Sequence, residues 1–429
     1  MENSQPKILV FTVSAWNSKV GANSFASLLE NYNNALVANI CIRDEVPNST
    51  VASRYFAISE SKIIKSVLKR KIKTGMEKTA CETGNTSTLE EHNQRYARHK
   101  KNRSHFKLMV REMIWKLGKW KTKELDDFLD SFKPDIILHS MEGYIHLNRI
   151  INYAIKRTGA KAIGYIWDDN FTYKQHSSLG YKIYRFYQRK SLKKLAKSTH
   201  AFFAITEKTK KEADEFFGIS SIVLTKPLSS YPVVNYESLS KPIKMLYTGN
   251  LYIGRDKTLA RLVKALKELD NNAENIVIDI YTKSVLEPSI KEQIECSFCK
   301  IHPPISQNEV LELQKDADVL LLLEDIDGRH SKTARLSFST KTTDYLSSGR
   351  CIFAIGNSDL ASIQYLSENK ASLIATSDEE MKNVVNEINK SPSILAEYAK
   401  KSASLGIENH SKEKIEEIFY NTINEVFNS

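Results

Sequence analysis

The 429-residue chain has no apolar run near the roughly 18 residues that a membrane-spanning helix needs, so no transmembrane segment is expected. Its start, MENSQPKILVFTVSAW, lacks a basic stretch ahead of an apolar core. It reads as six polar residues followed by a strand, and no signal peptide is expected. Cysteine is sparse: five in a chain of this length, an odd number, argue for reduced thiols and a cytosolic setting. CSFCKIH brings Cys296, Cys299 and His302 close in sequence, but no fourth ligand accompanies them. Half of that stretch reads as a strand, so packed thiols are expected there in place of zinc. The chain has no Walker loop, no GxGxxG and no repeat of fixed period.

The length exceeds what one hydrophobic core fills, which gives two domains. With 41% hydrophobic and 26% charged residues the composition is that of a globular protein. The net charge of +11 sits in the first half. Between Lys62 and Lys123 there are 18 Lys/Arg against 5 Asp/Glu, and Lys174 to Lys197 adds 8 more with no acid.

Short apolar runs alternate with amphipathic stretches. KILVFTVS, LVANICI, DIILHS, KAIGYIW and HAFFAIT read as strands, with helices such as HLNRIINYAIKR and YKIYRFYQRKSLKKLA between them. Strand–helix alternation argues for parallel βαβ units. TKPLSSYPVVNYESLSKP (225–242), with three prolines, reads as a linker. After it the alternation restarts with IKMLYTG, IVIDIYT, CKIH, DVLLLL and CIFAIG. HSKEKIEEIFYNTINEVF (410–427) closes the chain as an amphipathic helix. The α/β architecture expected is two doubly wound, Rossmann-like domains: 1–228 with a basic insertion over about 61–125, and 229–408, followed by a terminal helix over 409–429.

In open α/β sheets, ligands bind beyond the carboxyl ends of the strands. YTGNLYIGRDKTLARLV ends a strand at Gly249 and opens a helix near Asp256. Glycine lets backbone approach a phosphate, and Arg255 and Lys257 put cations at a helix start that itself favours anions. A plain loop with solvated cations fits the same residues. STKTTDYLSSGRCIFAIG places Lys341 in the first turn of a helix, where the dipole disfavours a cation, and Asp344 one turn later. Phosphate and vicinal hydroxyls would use both residues; an i,i+3 ion pair explains them equally well.

These two stretches carry a resemblance. Ser339, Thr340, Lys341, Asp344, Tyr345, Leu346 and Gly349 fall on the signature of retaining GT-B glycosyltransferases, in the large family numbered four, and LYTGNLYIGRDKTLARLVKAL resembles their donor loop. KDADVLLLL, ITEKTKKEADEFFG, TKPLSSY and the last helix are similar to the matching parts of that family, so the resemblance covers most of 200–429. It is weaker over 1–60 and 130–200 and absent over 61–130. What it implies is a GT-B fold, with two domains facing across a cleft and the terminal helix returning to the first. The donor is expected to be a nucleotide-sugar, UDP favoured, whose hexose is transferred with retention to a saccharide acceptor. Lys341 and Arg255 would neutralise the diphosphate, Gly249 and Asn250 would offer backbone amides, and Asp344 would hold the ribose hydroxyls. Lys257, Thr282, Thr342 and, in the first domain, Gly21 would complete the donor site. Asp168 or Asp169, in YIWDDN, would act on the acceptor hydroxyl, with His139 nearby.

The departures are plain. Leu336 stands where many relatives have a second Glu, Cys351 replaces a Pro, and Thr258 replaces a Gly. No cofactor and no metal are expected. Asp325 and Asp327 form an Asp-x-Asp, but ahead of the signature. The basic segment interleaves cations with Phe106, Trp115 and Trp120, a pattern suited to an anionic membrane surface. Nucleic acid competes for such a patch and fits a nucleotide-sugar site less well. The acceptor expected is therefore lipid-linked, at the cytoplasmic membrane face, in cell-surface polysaccharide assembly. Two other readings fit the residues: a GT-B sugar-nucleotide epimerase, and a non-catalytic GT-B subunit that binds a partner or a glycan.

Overall fold

A computed structural model of the protein describes residues 5–16, 24–69, 71–80, 104–236, 239, 241–269, 275–328 and 330–429. The chain divides into two compact units, Met1–Leu224 with Glu416–Ser429, and Thr225–Ile415.

The first unit is built on an eight-stranded sheet in the order β4-β3-β2-β1-β5-β6-β7-β8. Its strands are β1 (Ile8–Thr12), β2 (Val37–Cys41), β3 (Arg54–Ile58), β4 (Gly75–Lys78), β5 (Ile136–Ser140), β6 (Lys161–Ile166), β7 (Ala201–Ala204) and β8 (Ile222–Val223). All neighbours pair in parallel except β3 and β4. The central strands are continuous apolar runs because helices cover both faces of the sheet, leaving no side for water. Order reverses between β1 and β5, which marks a switch point at their carboxyl ends. The last helix, Lys412–Asn428, gives its later turns to this unit: Phe419 is fully buried against Phe203, and Tyr420 stacks on Tyr32.

The second unit carries six parallel strands in the order β11-β10-β9-β12-β13-β14. They are β9 (Ile243–Thr248), β10 (Ile276–Tyr281), β11 (Cys299–His302), β12 (Val319–Leu323), β13 (Cys351–Ile355) and β14 (Leu373–Ala375). Helix Arg255–Lys267 buries Leu259, Leu262, Val263 and Leu266, one face of a 3.6-residue period, against β9, β10 and β12. Its switch point lies between β9 and β12.

Four strands are not foreseen from the sequence: β3, β8, β14 and β4, the last an antiparallel edge inside the basic segment. The helices Asp378–Lys390 and Ile394–His410 are likewise additions to the expected pattern. Among the described residues no helix is long and apolar enough to cross a membrane.

Gly349 joins helix Thr340–Leu346 to β13 at φ +70°, and a Cβ there would run into the Val233 backbone carbonyl. The side chain is excluded twice, by left-handed backbone and by a neighbour that cannot rotate away. Gly349→Ala is expected to destabilise the protein by about 3 kcal/mol, read as a lowered melting temperature. An unchanged melting temperature would contradict this account of the turn.

Candidate functional site

The densest set of expected site residues lies in the second unit, at the carboxyl ends of β9 and β12. β9 ends at Thr248, and Gly249 follows at φ +132°, a backbone that side-chain-bearing residues rarely take. A Cβ on Gly249 would sit 2.5 Å from Nζ of Lys341. Backbone and ammonium therefore approach each other only because residue 249 has no side chain. Lys341 Nζ also lies 4.0 Å from the ring centroid of Tyr247, a cation–π contact with a fully buried ring. The Tyr247 hydroxyl donates to the Asn250 carbonyl at 2.6 Å and so holds the turn after the strand.

Arg255 opens the next helix. Its guanidinium forks onto Glu324, Nε to Oε2 at 3.1 Å and Nη2 to Oε1 at 2.9 Å. Glu324 follows β12, is 8% exposed, and has its Cβ 2.8 Å from where Gly356 would carry one. The segment after β12 is pinned by Thr258, whose hydroxyl donates to the Glu324 carbonyl at 2.7 Å and accepts from Ile326 N at 3.3 Å. Thr258 thus clamps the loop that carries the arginine's partner.

Lys341 has no ion-pair partner among the described residues. Burial pushes its ammonium well below the usual lysine range, to about 7, and the positive charge of Arg255 pushes the same way. The carboxylates of Glu324 and Asp344 oppose the shift. A cation held this way lowers its free energy by meeting an anion. Two polar atoms of the same loop and helix, Asn250 Oδ1 and Thr342 Oγ1, are buried without a hydrogen-bond partner.

The other expected residues are placed as follows. Asp344 is half-buried and receives Lys226 Nζ at 2.6 Å, an ion pair spanning 118 residues. Thr282 follows β10; it is buried and accepts from Ser284 N at 3.0 Å. Lys257 is exposed on the outer side of its helix and lines a 410 Å³ cavity with Arg261, Lys264 and Lys267, apart from Arg255. Asp325 accepts from the backbone N of Asp327, His330 and Ser331, and Asp327 pairs with Arg261 at 2.8 Å, so both carboxylates organise the loop. Among the described residues no group of three or more His, Cys, Asp and Glu is disposed to hold a metal. Cys296 and Cys299 are free thiols bridged through their backbones, and His302 pairs with Asp279 at 2.6 Å.

In the first unit, Asp169 is buried and closes a turn by accepting from Thr172 N at 2.9 Å and Thr172 Oγ1 at 2.5 Å. Asp168 beside it is exposed. His139 is fully buried, with Nε2 3.1 Å from Thr199 Oγ1, and burial lowers it to about 4, so it packs as a neutral ring. Gly21 lies outside the described residues. One titratable group absent from the sequence expectations stands out. Glu142, just past β5, is pushed up to about 7 by burial and then by the charge of Asp168, past β6. Ser140 Oγ donates to it at 3.3 Å. Only the adjacency of β5 and β6 brings the two carboxylates together.

No family model matches the chain, and no curated protein matches its sequence. Solved structures match its fold. Trehalose-6-phosphate synthase from Burkholderia multivorans aligns at TM-score 0.61 and 9% identity over 99% of both chains. HepE from Anabaena, solved with UDP, aligns at 0.61 and 10% identity over 98% of this chain and all of its own. Sucrose-phosphate synthase from Thermosynechococcus elongatus aligns at 0.60 and 10% identity over 99% of both. The chain has their GT-B fold: two Rossmann-like units and a terminal helix shared with the first.

Proposed function

We propose that the protein is a retaining glycosyltransferase whose second unit holds a nucleotide-sugar through Gly249, Arg255 and Lys341. The observation that carries this reading is the apposition of Lys341 Nζ to a backbone that only glycine permits, beside a second cation and past the ends of β9 and β12. One solved neighbour, HepE, is found with UDP in one structure and with UDP and glucose in another, which supports UDP as the nucleotide and a hexose as the transferred sugar. Membership of family four rests on the signature over 339–349.

In this reading the protein acts on the leaving group. As the glycosidic bond to the diphosphate breaks, negative charge grows on the phosphate oxygens. Cations already aimed at that position stabilise the charge without reorganising. The acceptor hydroxyl attacks from the same face, and the departing phosphate takes its proton, so positioning outweighs any carboxylate base. Asp344 exchanges Lys226 for ribose hydroxyls when donor binds. The acceptor is a saccharide on a lipid carrier, met at the cytoplasmic membrane face in cell-surface polysaccharide assembly. The basic first half favours that location.

Binding should be linked to protons. Free Lys341 titrates near 7, and a bound diphosphate restores its charge. Between about 7 and the ordinary lysine value near 10.4, UDP binding therefore takes up a proton and weakens as pH rises. Calorimetry of UDP in two buffers of different ionisation enthalpy reads the uptake directly. An affinity flat from pH 7 to 9, with no uptake, would count against the assignment of Lys341.

The experiment for the function itself is a melting-temperature panel of nucleotides and nucleotide-sugars, followed by hydrolysis of the best ligand without acceptor. Binding with no hydrolysis or transfer would favour a non-catalytic subunit. Leu336, fully buried and apolar where many relatives have Glu, is the observation on that side.

A further inference from the structure

Helix His105–Leu117 and helix Leu179–Ala196, both in the first unit, turn apolar residues outward. On the former, Phe106, Val110, Met113 and Leu117 are 74, 38, 60 and 57% exposed, at spacings of four, three and four that form one stripe. The same helix already has an inner face, where Trp115 is fully buried and stacks on His146 at 4.3 Å. On the latter, Leu179, Ile183, Phe186 and Tyr187 are 74, 42, 56 and 50% exposed. An amphipathic helix needs one apolar face for its core, and each of these has a second.

Between these helices and helix Ile145–Thr158 lies a cavity of about 710 Å³. Met109, Met113, Trp120, Tyr153, Tyr184 and Tyr187 give it apolar walls. Lys116, Lys156, Lys190 and Lys194 rim it, and none of the four forms an ion pair among the described residues. Arg149 reaches it from helix Ile145–Thr158. The residue is half-buried, with Nη1 buried and without a hydrogen-bond partner; burial disfavours its charge, and the Glu112 carboxylate opposes that in part. The one carboxylate in the lining, Glu112, is spent on His146, taking its Nδ1 and its backbone N at 2.9 Å each. A buried guanidinium nitrogen left unpaired costs free energy until an acceptor meets it. A second cavity of about 580 Å³, with Ile183 and Phe186 in its lining, shares Tyr187 with the first and extends the apolar surface.

We propose that the cavity binds the phosphate head of a long-chain lipid phosphate, with its hydrocarbon chain laid along the exposed apolar residues of the two helices. Arg149 is the head-group ligand, since its planar fork matches phosphate oxygens, its buried Nη1 is unpaired, and the nearby Glu112 carboxylate acts on it only through space. The cationic rim supplies long-range attraction, and the Met- and Tyr-rich walls suit a chain without fixed shape. That this lipid carries the acceptor sugar rests on the transferase reading; the binding itself does not.

The test titrates the full-length protein with farnesyl phosphate, farnesol and inorganic phosphate, read by calorimetry and by intrinsic tryptophan fluorescence, to which Trp120 in the cavity wall contributes. Farnesyl phosphate is expected to bind at least about tenfold more tightly than either half of the molecule, the scale of one charge-assisted contact. Arg149→Gln is expected to remove most of that preference over farnesol. Lys190→Glu with Lys194→Glu, on an exposed surface where folding is not at stake, should weaken farnesyl phosphate by a similar factor and flatten its salt dependence. A UDP-induced rise in melting temperature, measured on the same samples, reports an intact second unit. Farnesol binding as well as its phosphate, inorganic phosphate binding as well as the amphiphile, or a preference unchanged in both variants would overturn the proposal. UDP binding without lipid-phosphate binding sinks this inference and leaves the donor site standing; the converse sinks the donor site and leaves this one.

Discussion

Lys341→Ala is expected to lower kcat/KM for the nucleotide-sugar by about 10²- to 10³-fold, the scale of removing one preorganised donor from a developing anion. The fall should lie mainly in kcat, because the charge on the diphosphate is larger in the transition state than in the bound donor. Lys341→Arg is not expected to restore activity. The Lys341 ammonium already lies 2.5 Å from where a Gly249 Cβ would be and 4.0 Å above the Tyr247 ring, which leaves no room for a guanidinium. Steady-state kinetics on the two variants reads both expectations. Turnover within threefold of the parent in Lys341→Ala would show that the ammonium does not meet the leaving group.

Glu324→Gln carries the second large effect, on stability. It removes the only ion-pair partner that Arg255 has among the described residues and a carboxylate that helps keep Lys341 charged, leaving the Arg255 guanidinium unpaired beside it. Breaking such a pair from one side costs about 3 kcal/mol or more, because the surviving charge stays buried. A loss of that size corresponds to roughly 6–12 °C in melting temperature for a unit of about 200 residues. Because the variant keeps the shape that packs Glu324 against Gly356, the change isolates charge from packing. The variant should also gain more from UDP than the parent does, since the diphosphate then stands in for the missing carboxylate. An unchanged melting temperature, or an equal gain from UDP, would mean that the pair is solvent-screened and unrelated to anion binding.

The continuous apolar strands were legible because burial on both faces leaves nothing but apolar residues: KILVFTVS, DIILHS and DVLLLL each supply a central strand. RYFAI was not legible as β3, since five residues bounded by polar chain carry little periodicity, and β4 reads as part of a basic, helical stretch. In the site, what is local could be read. Gly249 ends a strand, Arg255 opens a helix, and Lys341 stands in the wrong half of a helix dipole. What is not local could not. Arg255 and Glu324 are 69 residues apart, and Lys226 and Asp344 are 118 apart. Tyr247 alternates as a core residue in IKMLYT, and its second role, carrying Lys341 on its face, exists only once β9 and helix Thr340–Leu346 are packed together. Glu142 needs two strands 20 residues apart to become neighbours before its carboxyl has a reason to hold a proton. The sequence does mark the cations of the basic segment, yet Arg149, whose Nη1 is buried without a hydrogen-bond partner, comes from a helix outside that segment.

The most direct measurement is a crystal structure of the full-length protein with UDP. The β-phosphate is expected against the Gly249–Asn250 backbone and within hydrogen-bond reach of Lys341 Nζ and the Arg255 guanidinium, with the ribose on Asp344 and Lys226 displaced. A well-ordered UDP elsewhere, with Lys341 still seated on Tyr247 and the Lys226–Asp344 pair intact, would contradict it.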